Sequence, residues 1–577
     1  MPFFFRVADL ACAPKLVGMF PERNRILRRD FCLLGLIFGV LFFGTLWVRP
    51  LANPDEGRYS EIPREMLESG DWVLPRLNGI LYFYKPPLPY WLQAGAQGVA
   101  GNGVAVQRFW PAAVSWLGVL GTFLAARYLY GRGAAWLSAL ILGSCLLYFG
   151  LSQILTLDPY VSVFMTLALF CYIIGIREPR GRRRLLLFAG FYSGISLAVM
   201  SKGFMAIAIP GAIIFLWFLL LNQWRKLRDL HLVMGALIFL VIAGPWHLAA
   251  ALSSEHWFDF YVVHEHFERY LSDVSDRAQP AWYFLVLLPI AFLPWTVFLP
   301  GAVVAILRNW REREAESPAW FLLIWSLFVV LFFSASQSKL PTYILPVMPP
   351  LAVLTGRYLA ALMESGAWVR LRRPLWALAG LLGALAVALP ILVWVRADEF
   401  HRAATPWTVV AMVSLALGGF AVARGLARGR NQSALLAAFV AIMVTLFCFN
   451  GIASGFQQPG TRAFADFLKP KLVTGDRVFH FADYFQDFPF YLEQPVDLLF
   501  QEPKEQAFGA EWEPEQAARY VPGDQVAAVW SEPGRKFALA HADALRAFQI
   551  LYPEQPVYVW RIDNHFVLFS NEPSPHL

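Results

Sequence analysis

Residues 53–91 read NPDEGRYSEIPREMLESGDWVLPRLNGILYFYKPPLPYW. The stretch gathers acids and bases, from Asp55, Glu56 and Arg58 to Arg76 and Lys85, in a chain that is 58% hydrophobic and only 15% charged. Soluble domains average about 25% charged residues. The chain therefore reads as an integral membrane protein, and 53–91 as the polar segment that its apolar runs hold in place.

Ahead of this stretch, residues 1–30 carry Arg6, Lys15, Arg23, Arg25, Arg28 and Arg29, followed by a first apolar run at 31–48. Basic residues before a first span predict a cytoplasmic N-terminus that stays attached. A hydrocarbon core needs roughly 20 apolar residues per helix. That ruler places later spans near 107–128, 133–151, 159–176, 185–201, 203–222, 230–250, 281–306, 318–334, 341–362, 374–395, 407–426 and 432–453, about thirteen in all. Crossing direction alternates, and the loops RYLYGR, REPRGRRR, QWRKLRD, RNWRERE, RLRRP and ARGLARGR all fall on the cytoplasmic side and are all basic. The loops at 49–106, 251–280, 335–341 and 396–406 then face outward, which in a bacterium is the periplasm. Their side also receives the tail.

The pattern changes at 454, where Gly455, Pro459 and Gly460 mark a junction. Runs such as RVFHF, VAAVW, PVYVW and HFVLF predict short strands, while TRAFADFLK and GRKFALAHADALRAF predict amphipathic helices. The expected organisation is a polytopic α-helical membrane domain at 1–453 with its polar loop at 49–106, and a small periplasmic α/β domain at 454–577. Within the loop, EIPREMLESG and PYWLQAGAQGVA have helical apolar periodicity and suit short helices lying in the interface. Such helices hold a polar site at headgroup depth.

The net charge of +7 is accounted for by the cytoplasmic loops, so it does not point to nucleic acid. Five cysteines without CxxC or His-Cys spacing predict neither a disulfide framework nor a zinc knuckle. Nothing matches a Walker loop, a GxSxG elbow or a dinucleotide fingerprint.

The residues that can carry chemistry lie at the outer ends of spans. Asp55 is placed to orient or deprotonate a nucleophile, and equally to cap the helix that follows. Arg58 can grip a phosphate through its planar fork. Lys85, after Tyr82, Phe83 and Tyr84 and before two prolines, fits either a phosphate site or a snorkelling lysine in an aromatic belt. Asp158 in LTLDPY is a site acid or a cap ahead of Pro159. Lys202, Lys339 and Arg269 complete an expected ring of cations around one outward cavity, as suits a phosphate or diphosphate. Glu265 and His266 are weak metal candidates: the alternation in HEHFERY puts His264 and His266 on one face only in a strand. They fit better as cavity lining. No cofactor is required by this reading, although a divalent ion has conceivable ligands there.

Taken together, NPDEGRY, GDWVLPRLNG, YFYKPPLPYW, LTLDPY, MSKGF, EHFERY and SKLPTYILPVMPP resemble the bacterial lipid A aminoarabinose transferases, C-type membrane glycosyltransferases related to protein O-mannosyltransferases. The resemblance covers the membrane region, and it implies transfer of 4-amino-4-deoxy-L-arabinose from an undecaprenyl-phosphate carrier to a lipid A phosphate at the periplasmic face of the inner membrane. It implies Asp55 as the catalytic carboxylate and Arg58, Lys85 and Tyr343 as contacts to the carrier phosphate. Tyr59, Tyr82, Asp158, Lys202, Glu265, His266, Arg269 and Lys339 would line the cavity. This chain has Tyr84 where the family more usually has glutamate. Two other readings keep to the same residues: transfer to a different glycan, lipid or protein hydroxyl, and transport of a lipid-linked sugar. A transporter predicts charges near the bilayer midplane and matching halves, whereas these charges cluster at the outer rim.

Overall fold

A computed structural model describes residues 21–268, 278–502 and 506–574; Arg269 and the side chain of His266 lie outside the described set. The chain opens with α1 (Pro21–Phe43), then the polar loop folds as α2 (Asp55–Ser69), a two-stranded hairpin of β1 (Arg76–Leu77) and β2 (Ile80–Leu81), and α3 (Leu88–Ala100). There follow α4 (Val104–Ser144), α5 (Leu146–Ser152), α6 (Asp158–Gly175), α7 (Arg182–Lys202), α8 (Met205–Leu221), and the pair α9 (Leu232–Ile242) and α10 (Gly244–Ser253), bent by 48°. Further apolar helices run to Phe456.

Among the described residues, seven helices are long and apolar enough to cross a membrane, or ten if each bent pair is one span. Each of the thirteen predicted spans has helix in its place. The difference arises because α4 is two spans joined at Gly131, and because the basic α1 and the 17-residue α8 fall below that criterion. Gly131 has φ 88°, a conformation that a side chain would strain, so one helix ends there and the next starts directly after the kink. Trp368–Val395 buries only 22% of its apolar stretch within the protein, the reverse of a soluble helix, and lipid must cover the rest. The chain is a multi-pass membrane protein.

The tail forms a six-stranded sheet in the order β5-β4-β3-β6-β8-β7, with β3 (Arg477–Phe481), β4 (Asp497–Leu499), β5 (Tyr520–Val521), β6 (Lys536–His541), β7 (Tyr558–Ile562) and β8 (Phe566–Ser570). The first four are parallel and β8 is antiparallel to both of its neighbours. Two expectations are corrected here. VAAVW lies in the helix Val526–Ser531, whose Val526 and Trp530, one turn apart, are both buried. GRKFALAHADALRAF divides, its first half becoming β6 and its second half the helix Ala544–Leu551. Residues 536–540 of β6 are all buried because the strand is central and covered on both faces, so no alternation was there to be read. Val478 packs into one apolar layer, Phe479 and Phe481 into the other, and Leu51 from the polar loop joins the first.

Contacts between tail and loop are specific. The side-chain amide of Asn78 takes both backbone bonds of Val496, Nδ2 donating to its carbonyl at 2.8 Å and Oδ1 accepting from its N–H at 2.9 Å. Arg76 makes a bidentate pair with Glu513 at 2.7 and 2.9 Å. Helix α2 meets Asp487–Leu492 at Gly57, where a Cβ would lie 2.5 Å from the Asp487 nitrogen.

One face of α2 carries Glu61 and Glu65, one turn apart and both buried. Arg64 donates to both oxygens of Glu61 at 2.7 Å, and the Gly79 N–H donates to Glu65 at 3.0 Å. Burial, and then the neighbouring Glu61 carboxylate, push Glu65 up to about 8 from an ordinary 4.5. A folded-state value above the unfolded one means that the folded protein retains a proton the unfolded chain has lost. The resulting stabilisation is complete below about pH 4.5 and declines as pH rises through about 8. Glu65→Gln is expected to flatten that decline, read as unfolding temperature in detergent between about pH 5 and pH 8. A wild-type profile that rises with pH across this window would contradict the assignment.

Candidate active site

The site is built on the first turns of α2. Glu56 is its buried anchor: Oε1 accepts from Arg108 Nε at 2.7 Å, Arg49 Nη2 at 3.2 Å and the Leu155 N–H at 3.0 Å. Its Oε2 accepts from Arg49 Nη1 at 2.8 Å, Arg108 Nη2 at 2.7 Å and the Ala52 N–H at 2.8 Å. Arg108 also donates to the carbonyls of Leu46, Arg49 and Pro50, and Arg49 reaches Asn450 and the Gln153 carbonyl. Burial alone would raise the Glu56 carboxyl, but the two guanidinium groups hold it down at about 2. This network ties the end of α1, the start of α2, α4, the approach to α6 and the helix Phe449–Phe456 to one carboxylate.

With Glu56 turned inward, Asp55 on the adjacent position points out, its side chain 55% exposed and Oδ1 3.8 Å from Arg58 Nη1. Pro54 occupies the cap position, and Asp55 is the first helical residue, one of two acids in the first turn of α2. Arg58 is buried. Its Nη1 donates to Tyr82 Oη at 3.3 Å and its Nε to Gln486 Oε1 at 3.1 Å, and its guanidinium carbon lies 5.8 and 5.9 Å from the rings of Tyr59 and Tyr82. Tyr84, the departure from the family pattern, continues the aromatic row: 4.6 Å from Tyr82 and 4.9 Å from Phe260 between ring centres.

The other predicted residues fall into pairs around this core. Lys85 meets Glu265 at 2.5 Å, bringing the polar loop to the π-helix Phe258–Glu268. Lys202, at the end of α7, meets Asp158, at the start of α6, at 2.6 Å and lies 5.2 Å from the Tyr343 ring. Asp158 is likewise the first residue of its helix, after Leu157 at the cap position. Asp158, Lys202 and Tyr343 line a narrow cavity of about 30 Å³, little more than water-sized. Burial and then the neighbouring Tyr82 push the Tyr59 phenol well above its ordinary value, and the Asp55 and Asp158 carboxylates add to that against the pull of Arg58. An apolar groove of about 430 Å³ opens nearby, lined by Phe204, Phe239, Leu248, Trp257, Phe258 and Val262 among others. Phe204 stands two residues beyond Lys202.

Tyr343 groups with Lys202 and Asp158. Lys339 does not line either cavity; its ammonium donates to the carbonyls of Ser336 and Gln279, and burial lowers its affinity for the proton. It fastens the loop at 335–341 to the segment at 278–279. For a metal, no group of three His, Cys, Asp or Glu side chains assembles among the described residues, and Glu265 is engaged by Lys85. Arg49, Arg108 and Gln486 were missed. Arg108 had a signal, since an arginine inside an apolar run needs a buried partner; Gln486 had none.

A family model described as dolichyl-phosphate-mannose-protein mannosyltransferase matches residues 30–261. An undecaprenyl phosphate-alpha-4-amino-4-deoxy-L-arabinose arabinosyl transferase of Edwardsiella ictaluri is 35% identical over 367 residues, 63% of this chain and 65% of that enzyme. The match thus spans a little under two thirds of that relative's length. An enzyme of the same description from Photorhabdus laumondii is 31% identical over 430 residues, 73% of this chain and 76% of the relative. The crystal structure of ArnT from Cupriavidus metallidurans bound to undecaprenyl phosphate superposes with a TM-score of 0.81 at 30% identity, covering 94% of this chain and 98% of that one. The archaeal oligosaccharyltransferase AglB from Archaeoglobus fulgidus, 13% identical with a TM-score of 0.54, shares the fold.

Proposed function

This chain belongs to the family of undecaprenyl phosphate-alpha-4-amino-4-deoxy-L-arabinose arabinosyl transferases, and from that premise we propose that it moves this aminosugar from undecaprenyl phosphate to a phosphate of lipid A. The site faces the periplasm in the inner membrane of a bacterium, in keeping with the basic loops that the alternation assigns to the other side. The observation that carries the reading is the juxtaposition of Asp55 and Arg58 on one turn of α2, at the centre of a fold that matches an undecaprenyl phosphate-bound relative over 98% of its length.

In this reaction the bond from the sugar's anomeric carbon to the carrier oxygen breaks, its electron pair leaves with the carrier phosphate, and a lipid A phosphate oxygen forms the new bond. Fixed cations favour departure because charge develops on the leaving oxygen. Arg58 supplies one and Lys85 another, the latter exchanging or sharing Glu265 when the phosphate arrives. A phosphate acceptor is already anionic near neutral pH, so Asp55 orients it and stabilises positive charge at the anomeric carbon. The apolar groove beside Phe204 takes the isoprenoid chain. These residues supply the charge the reaction needs, so the reading invokes no cofactor.

The test is transfer by the purified full-length protein in lipid nanodiscs, given undecaprenyl phosphate-linked aminoarabinose and lipid A. Mass spectrometry should find lipid A heavier by one aminosugar and free undecaprenyl phosphate in equal amount. Carrier consumption with a hydroxyl-bearing acceptor modified instead would replace the acceptor half of the proposal. Neither product forming would sink it.

A further inference from the structure

We propose that Gln486 of the C-terminal domain is a positioning residue of the transferase site, fixing Arg58 through Nε with a neutral acceptor that adds no negative charge where the carrier phosphate binds. The inference rests on the function proposed above and extends it: the tail domain completes the donor site.

Three observations support it. First, the acceptor is neutral. Elsewhere on the same loop Arg64 is held by the carboxylates of Glu61 and Glu68, and Arg76 by that of Glu513. Arg58 Nε is held by an amide oxygen at 3.1 Å, with both side chains buried. A carboxylate in that place would pair with the guanidinium and compete with an incoming phosphate.

Second, residue 486 is locked to α2 independently of its own side chain. Gly57 approaches so closely that a Cβ would lie 2.6 Å from the Gln486 carbonyl carbon. On the next residue, Asp487 Oδ1 accepts from Asn53 Nδ2 at 2.6 Å, its N–H donates to Asn53 Oδ1 at 3.0 Å, and Oδ2 accepts from the Thr461 N–H at 2.9 Å. The tail therefore grips both sides of Asp55, at Asn53 and at Gly57. Third, Arg58 is held on its other side by Tyr82 Oη, by two ring faces and by the Asp55 carboxylate at 3.8 Å, and the bond from Nε is the one that the tail supplies.

The test uses the purified full-length chain and undecaprenyl phosphate as probe. Gln486→Met, which keeps length without polarity, should weaken binding several-fold, and Gln486→Glu by roughly tenfold or more, since a hydrogen bond to a charged group is lost or diverted. The donor KM should follow the same order while the KM for lipid A stays unchanged. On an Arg58→Lys background, which has no Nε, Gln486→Met should add nothing, whereas a general loosening of the fold would add its full effect there too. Equal affinity in wild type and both variants overturns the proposal, as does a parallel rise in donor and acceptor KM, the mark of a loosened domain contact. Failure of the underlying reading would appear in the wild type, as absence of binding or transfer; failure of this inference appears only in the variants.

Discussion

Glu56→Ala is expected to yield little folded protein, and what is recovered should unfold far below the wild type. The substitution removes the acceptor for six donors, four of them on the buried guanidinium groups of Arg49 and Arg108. Removing one partner of a buried ion pair costs about 3–5 kcal/mol because the other charge stays buried without compensation, and here two charges are stranded. Glu56→Gln keeps the volume and half the acceptor capacity, so it should fall between the two. Thermal unfolding in detergent, with the monodisperse fraction by size exclusion, reads the order directly. Glu56 also sets a pH limit of opposite sense to that of Glu65. Its folded value of about 2 lies below the ordinary 4.5, so its contribution is present above about pH 4.5 and is lost as pH falls toward 2. An alanine variant that melts with the wild type would mean that Arg49 and Arg108 are satisfied without it.

How much of this was legible beforehand depends on the kind of signal. The spans and the outward loop could be read because apolar length and loop charge act along the chain, and the motif NPDEGRY could be read as polar chemistry beside a bilayer. The assignment of roles within the motif could not. Asp55 and Glu56 are adjacent acids, and only the helix start at Pro54 decides which turns inward to meet Arg108 on α4. Lys339 looked like Lys202 in sequence, a cation at the outer end of a span, yet one finds a carboxylate and the other finds backbone carbonyls. In the tail, β6 was mistaken for helix because a central strand buried on both faces has no period of two. Gln486 lies more than 400 residues from Arg58, and no local pattern marks an amide as the partner of a distant guanidinium.

Asp55→Asn, in contrast to its neighbour, should fold and bind carrier as the wild type does, yet lose transfer by about two to four orders of magnitude. The side chain is half exposed, lies 3.8 Å from Arg58 and supplies none of the six hydrogen bonds to Glu56, so an isosteric amide leaves that buried network intact. On the proposed function, what it removes is a negative charge beside the anomeric carbon, where positive character grows as the carrier departs. The two roles open to Asp55 then separate by pH. If it stabilises charge and orients an already ionised phosphate, the deficit of the variant should be constant wherever that phosphate is ionised. A general base would instead give the wild type an acidic limb in its rate profile that the asparagine variant lacks, and would mean the acceptor is a hydroxyl. Single-turnover transfer from undecaprenyl phosphate-linked aminoarabinose, followed across pH for both proteins alongside unfolding temperature and carrier affinity, distinguishes them. Full turnover by a folded Asp55→Asn protein would move the reacting carboxylate elsewhere, and Asp158, whose charge also reaches Tyr59, is the next acid to replace.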